Sequence, residues 1–293
     1  MKKYLTLILI LASFILVSCT PKTPSDIVTT TYFQYDIVKN IVEDNLNIEI
    51  LTKPGIDNHD YLPSSKQMTS IRNSKLFIFT SYEMDNWLNR NVNQIVSSDT
   101  TVLNLSEYND ININDQHYWT DPVLIMHFIN IIKDEIIKID PINTTLYEEN
   151  ATNYYNKINT LHNEFINYLS SKNNITLYFA GHNAMRYFEN RYGFTIIALS
   201  NTSKPDADLT SQQIIDLLEI IKTNNVSYLF TEELKEPRVA QTIKNELAKE
   251  NYNLELLELH GYHNVSQNDA SNNVTYYDLF LNNIKNIKKA FGD

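Results

Sequence analysis

Apolar and polar positions along this chain fall into two alternating rhythms. Short apolar runs at Ile27–Phe33, Ile48–Thr52, Leu76–Thr80 and Val102–Leu105 read as strands. Helix-period stretches separate them at Tyr35–Asp44, Ser64–Ser74 and Met84–Val96. Asp121-Pro122 predicts another helix, with proline in its first turn and Ile125, Phe128, Ile129 and Ile132 on one face. The second half repeats this outline. Strands are expected at Ile175–Phe179, Phe194–Leu199, Val226–Phe230 and Leu254–Leu259, and helices at Ala184–Tyr192, after Thr210, at Arg238–Lys249 and at Tyr277–Phe291. Between the halves, Leu146–Lys172 has no Gly or Pro and keeps a helical period through Tyr147, Tyr154, Ile158, Leu161, Phe165 and Leu169. At 1.5 Å per residue such a helix covers about 40 Å, more than a small domain needs, and it reads as a spine from one lobe to the other. The expected fold is α/β, with two parallel-sheet lobes, 26–141 and 173–293, joined by a linking helix at 142–172.

The N-terminus changes the picture by lying outside that fold. Lys2-Lys3 followed by an apolar stretch to Leu16 reads as a secretion signal, too short for a comfortable membrane span. It runs into Leu16-Val17-Ser18-Cys19, which resembles a bacterial lipobox and implies cleavage after Ser18 and thioether lipidation of Cys19, with 19–25 as a tether. Cys19 is the only cysteine, so no internal disulfide is expected. Loss of residues 1–18, which hold Lys2 and Lys3 and no acid, moves the formal charge from -11 to -13. That argues against nucleic acid as a partner and favours cations.

Candidate chemistry rests on histidines at element boundaries. His59 follows the turn at Pro54-Gly55, His117 precedes the helix start at Asp121, His182 follows the strand ending at Phe179, and His260 follows Leu259. Ligand sites in open α/β sheets collect at the carboxyl ends of strands, and neutral imidazole is a common ligand for zinc. His127 and His162 lie inside helical patterns and read as surface or core residues. His260 stands one residue ahead of Gly261, where the chain can turn away, whereas His263 lies farther into the same loop. Asp60, Asp121 and Glu232 are the carboxylates expected near the site. Asp121 has a competing role as a helix cap, and Asp60 or Glu232 could orient an imidazole. Trp119 and Tyr61 are expected to pack around the site.

The lipobox, Gly-x-x-x-His-Asp-Tyr, His-x-Trp-x-Asp-Pro, the long middle helix, Gly-His-Asn-Ala-x-x-Tyr-Phe and the C-terminal Tyr276-to-Asn283 spacing together resemble the zinc/manganese-binding lipoproteins of bacterial ABC importers. The resemblance implies a metal site in the cleft between the lobes, with His59, His117 and His182 as three ligands. The fourth ligand in that family is usually an Asp after the last strand. Here that place falls at His260, with His263 as its neighbour. A nearly all-imidazole set favours Zn2+ over Mn2+ as cargo. The resemblance further implies a non-enzymatic receptor, lipid-anchored outside the cytoplasmic membrane, monomeric, and delivering metal to a permease. Two rival readings stay open: a zinc hydrolase with three histidines and a water, for which no His-Glu-x-x-His is present, and a surface adhesin.

Overall fold

The computed structural model describes residues 24–292, apart from 60, 109–115, 173–174, 183, 201–210 and 235. The signal segment, Cys19 and Asp60 therefore lie outside the described residues.

In the first lobe, β1 (Ile27–Thr29) leads to α1 (Tyr32–Val42) and β2 (Ile48–Ile50), then α2 (Ser65–Asn73), β3 (Leu76–Phe79) and β4 (Thr101–Asn104). After it come α3 (Pro122–Ile139) and the spine α4 (Thr144–Leu169). The second lobe runs β5 (Thr176–His182), α5 (Arg186–Tyr192), β6 (Thr195–Ser200), α6 (Ser211–Thr223), β7 (Tyr228–Thr231), α7 (Arg238–Ala248) and β8 (Glu255–Glu258). The short α8 (Gln267–Ser271), which the hydropathy pattern does not reveal, and α9 (Tyr276–Ala290) close the chain. Both sheets are four-stranded and parallel, in the orders β2-β1-β3-β4 and β6-β5-β7-β8, so the two halves share one topology.

Strand parity explains how each sheet is covered. Leu76 and Ile78 of β3 face the core shared with α1, α3 and α4, while Phe77 and Phe79 face an outer cluster with Ile71 of α2. In β7, Phe230 faces the shared core and Leu229 the outer cluster against α6 and α7. Tyr147, Ala151, Tyr154, Ile158, Leu161, Phe165 and Leu169 make one buried stripe along α4, and all seven join the shared core. The spine thus binds the lobes by continuous apolar packing.

Two local expectations are corrected. The first strand ends at Thr29 and α1 begins at Tyr32, because Gln34 turns back to accept from the backbone N–H of Thr30 and Thr31 and starts the helix early. Met84–Val96 is not a helix but two 3-10 turns, Asn86–Leu88 and Val92–Gln94. Asn89 and Arg90 between them have φ of 48° and 55°, a left-handed conformation that asparagine tolerates and a helix cannot continue through. The helix starting at Pro122 is as expected: the Asp121 carboxylate accepts from Val123 N–H at 2.8 Å.

Candidate metal centre

Three imidazoles converge at the carboxyl ends of the strands. His59 comes from the loop after β2, His117 from the segment between β4 and α3, and His263 from the loop after β8. One nitrogen of each lies within 4.8 Å of the others. His59 Nε2 and His117 Nε2 are 3.5 Å apart. A tetrahedral zinc with Zn–N bonds of about 2.0–2.1 Å sets its ligand nitrogens roughly 3.4 Å apart, so this pair already has the right spacing, with His263 within 4.8 Å of both. His59 and His263 line a cavity of about 70 Å³ that opens to solvent, together with Gly55 and Asp57 from the first lobe and Phe179, Met185, Glu232 and Glu233 from the second.

Each ring has a visible support. His117 opens a 3-10 turn, Tyr118–Thr120, whose Tyr118 and Trp119 are fully buried. Trp119 stacks on Phe33 at 5.4 Å and 16° and meets both His117 and His263 edge-on, at 5.3 and 5.4 Å. Its Nε1–H donates to Gly261 O across the lobes at 2.9 Å. The backbone N–H of His59 donates to Asp57 Oδ1 at 3.0 Å, which fixes the main chain under that ring. His263 sits on a loop fastened to the first lobe: Asn58 Nδ2 donates to His263 O, Asn264 Nδ2 to Lys53 O and Ile56 O, and Gly55 N–H to Val265 O.

The structure does not bring His260 to this group. It is 2% exposed, its N–H donates to Asn283 Oδ1 at 2.8 Å, and its Nδ1 accepts the Tyr262 N–H at 2.9 Å. Tyr262 has a positive φ of 58° and its ring is buried against Tyr276, 4.5 Å between centroids, with Asn283 Nδ2 donating to its hydroxyl. That left-handed turn reverses the chain, so His260 points into the core and His263 toward the cleft. The expected Tyr276-to-Asn283 spacing is thereby explained: both residues anchor this loop.

His182 closes β5, and its side chain lies outside the described residues. Glu232 lines the cavity and crosses β5 at Gly181, where a Cβ would meet its Oε1 at 2.2 Å. Asp121 caps α3 and receives two guanidinium nitrogens of Arg191, Nε at 2.9 Å and Nη2 at 2.7 Å, an ion pair across the lobes rather than a contact to the imidazoles. His127 is exposed, and the buried His162 bonds to the Tyr192 hydroxyl at 2.8 Å. The carboxylate missed by sequence reasoning is Glu233, which bonds His263 Nδ1 at 3.0 Å. Burial works to raise its carboxyl. The nearby His260 and His263, with hydrogen bonds from His263 and Gly261 N–H, outweigh burial and hold it well below the usual carboxylate range. In turn, burial lowers His263 and Glu233 more than offsets it, so the ring lies above the ordinary imidazole value.

A cleft between two parallel α/β lobes joined by a long spine helix is the architecture of a two-lobed binding protein. The chain belongs to the family of the periplasmic zinc-uptake complex component A, whose pattern it matches over residues 27–290. It is 25% identical to the zinc-binding lipoprotein AdcA of Streptococcus pneumoniae, over 99% of this chain and 61% of AdcA, so it spans about three fifths of that relative. It is also 25% identical to the high-affinity zinc uptake system protein ZnuA of Bacillus subtilis, over 99% of this chain and 98% of ZnuA. Among solved structures, the Zn(II)-bound ZnuA-like domain of S. pneumoniae AdcA superposes with a TM-score of 0.78 at 24% identity, covering 92% of this chain and 99% of that domain. The laminin-binding protein of Streptococcus agalactiae superposes at 0.73 and 20% identity, over 91% of this chain and 98% of that one, a likeness of fold.

Proposed function

We propose that this protein is an extracytoplasmic receptor that captures a divalent transition metal, zinc before manganese, and delivers it to the membrane permease of an ABC importer without catalysing a reaction. The observation that carries the reading is the convergence of His59, His117 and His263 from two lobes onto one point. Three imidazole nitrogens suit borderline-soft zinc better than oxygen-preferring manganese. The relatives AdcA and ZnuA, named for zinc binding and zinc uptake, support the same cargo. His182 at the end of β5 completes a four-nitrogen shell in this reading, and Glu232 lines the same cavity. Four protein ligands leave no open position for the water that a hydrolase needs. Residues 1–18 act as a signal, Cys19 carries the lipid, and 26–141, 142–172 and 173–293 are the first lobe, linker and second lobe.

Zinc titration of chelator-stripped protein lacking residues 1–18 tests the cargo. One saturable site per chain is expected, with tighter binding of zinc than manganese and loss of binding in His117→Ala. Absence of saturable binding, or a preference for manganese, overturns the reading. Membrane fractionation of cells bearing Cys19→Ala tests the anchor: release of the protein is expected, and continued attachment contradicts it.

A further inference from the structure

Glu233 stands at the carboxyl end of β7, 8% exposed, and both of its oxygens are engaged by the loop that follows β8. Oε2 accepts the Gly261 N–H at 2.9 Å, and Oε1 lies 3.0 Å from His263 Nδ1. His260 Nδ1 is 4.0 Å from Oε1, beyond hydrogen-bond reach, and already accepts the Tyr262 N–H. The carboxylate therefore serves one ring. An ionised carboxylate only accepts hydrogen bonds, so Nδ1 of His263 must carry the proton. In the neutral ring Nε2 then keeps its lone pair. The ring itself is aimed at the other two imidazoles, with centroids 4.9 Å from His117 and 5.5 Å from His59.

Gly261 makes this contact sterically available. A Cβ there would sit 2.8 Å from His263 Nδ1, 2.9 Å from its Cε1 and 3.3 Å from Glu233 Oε1. Any side chain would wedge between ring and carboxylate.

We propose that Glu233 is a positioning residue for metal capture: it fixes the protonated nitrogen of His263 as Nδ1 and so presents Nε2 to the ion. This rests on the metal-receptor reading above. It extends that reading by naming the group that readies the second-lobe ligand before metal arrives. Asp57 and Glu232 also line the cavity, but Glu233 is the carboxylate bonded to His263. An imidazole that ligates through one nitrogen commonly donates the other N–H to a carboxylate, and loss of such a partner costs about 10–100-fold in metal affinity.

Glu233→Gln separates positioning from mere loop fastening. Its amide oxygen can still accept the Gly261 N–H, while its NH2 faces His263 Nδ1 and drives the ring proton to Nε2, blocking the ligand atom. The experiment is zinc titration of the wild type, Glu233→Gln and His117→Ala, with 15N NMR of the His263 ring in the metal-free protein. We expect the wild-type proton on Nδ1, the Glu233→Gln proton on Nε2, and zinc binding weakened about 10–100-fold at an unchanged unfolding midpoint. A wild-type ring protonated on Nε2, or a folded Glu233→Gln that binds zinc like the wild type, overturns the proposal. If Glu233→Gln does not fold, the wild-type tautomer decides alone. A wild type without saturable zinc binding overturns the receptor reading itself, an outcome distinct from failure of Glu233.

Discussion

In the first lobe His117 stands on aromatic packing: Trp119 and Tyr118, both fully buried, lock against Phe33 and Phe128. In the second, His263 stands on polar contacts, with Glu233 behind its ring and Asn283 holding the backbone of His260 two bonds deep. The lobes share one strand order, and His117 and His263 follow the corresponding last strands, β4 and β8, yet their loops are fixed by different forces. Apolar packing around Trp119 is bulky and non-directional, so it sets where His117 lies. Hydrogen bonds have direction, so they also set which nitrogen of His263 is turned to Glu233 and which is left toward the other imidazoles. The first support should show mainly in folding stability and the second mainly in metal binding.

The largest effect is expected from Trp119→Ala. It empties a fully buried site and breaks the bond to Gly261 O, and urea unfolding of the metal-free protein should show a loss of about 3–5 kcal/mol. A loss under 1 kcal/mol would remove the apolar half of the contrast.

Asn283→Ala comes next. Asn283 is fully buried and bonds His260 N–H, His260 O and the Tyr262 hydroxyl. Stranding those groups should cost roughly 2–4 kcal/mol and loosen the turn that presents His263, so zinc affinity should fall too. Destabilisation with affinity intact would show that the turn holds without this anchor.

A smaller effect belongs to Asp121, which caps α3 and pairs with Arg191. Asp121→Asn keeps a capping oxygen and should lose about 1 kcal/mol or less, since the arginine is partly exposed. Asp121→Ala loses the cap as well and should cost about 1 kcal/mol more. Equal losses in thermal melts would show that the cap contributes nothing.

A separate effect, read as a slope against pH, belongs to the spine side. Asp36 receives Tyr154 OH and Tyr276 N–H at the junction of α1, α4 and α9, and burial pushes its carboxyl up to about 7 despite those bonds. A folded value above the unfolded one of about 3.9 means the native state binds more protons in between. The Asp36 contribution is therefore fully present below about pH 4 and lost as pH rises to about 7. Buried Asp85 is pushed up to about 7 in the same direction, so Asp36→Asn should flatten only part of the slope. Urea unfolding between pH 4.5 and 7.5 measures this, and an identical slope in Asp36→Asn would contradict it.

Much of the fold was legible because strand parity and helical period report burial directly. The shared core, the spine and the doubled α/β outline all follow from those periods. The stretch 84–96 misled because its apolar spacing suits a helix, while Asn89 and Arg90 adopt left-handed backbone that no hydropathy pattern encodes. His59 and His117 were readable from their placement at loop ends. Which of His260 and His263 turns toward the other two imidazoles was not, because it depends on the positive φ at Tyr262 and on Asn283, twenty-one residues farther along the chain. Glu233 escaped for a related reason. It is next to Glu232 in sequence, and only the path of the chain beyond β7 decides which of the two meets the ring.

In the proposed site His263, rather than His260, joins His59 and His117 around the ion. Competition titration of zinc into His263→Ala and His260→Ala tests it most directly. His263→Ala should weaken binding by more than the roughly 10–100-fold expected for losing a supporting residue, and His260→Ala by less, its main cost falling on stability. Tighter zinc binding by His263→Ala than by a folded His260→Ala would contradict the account.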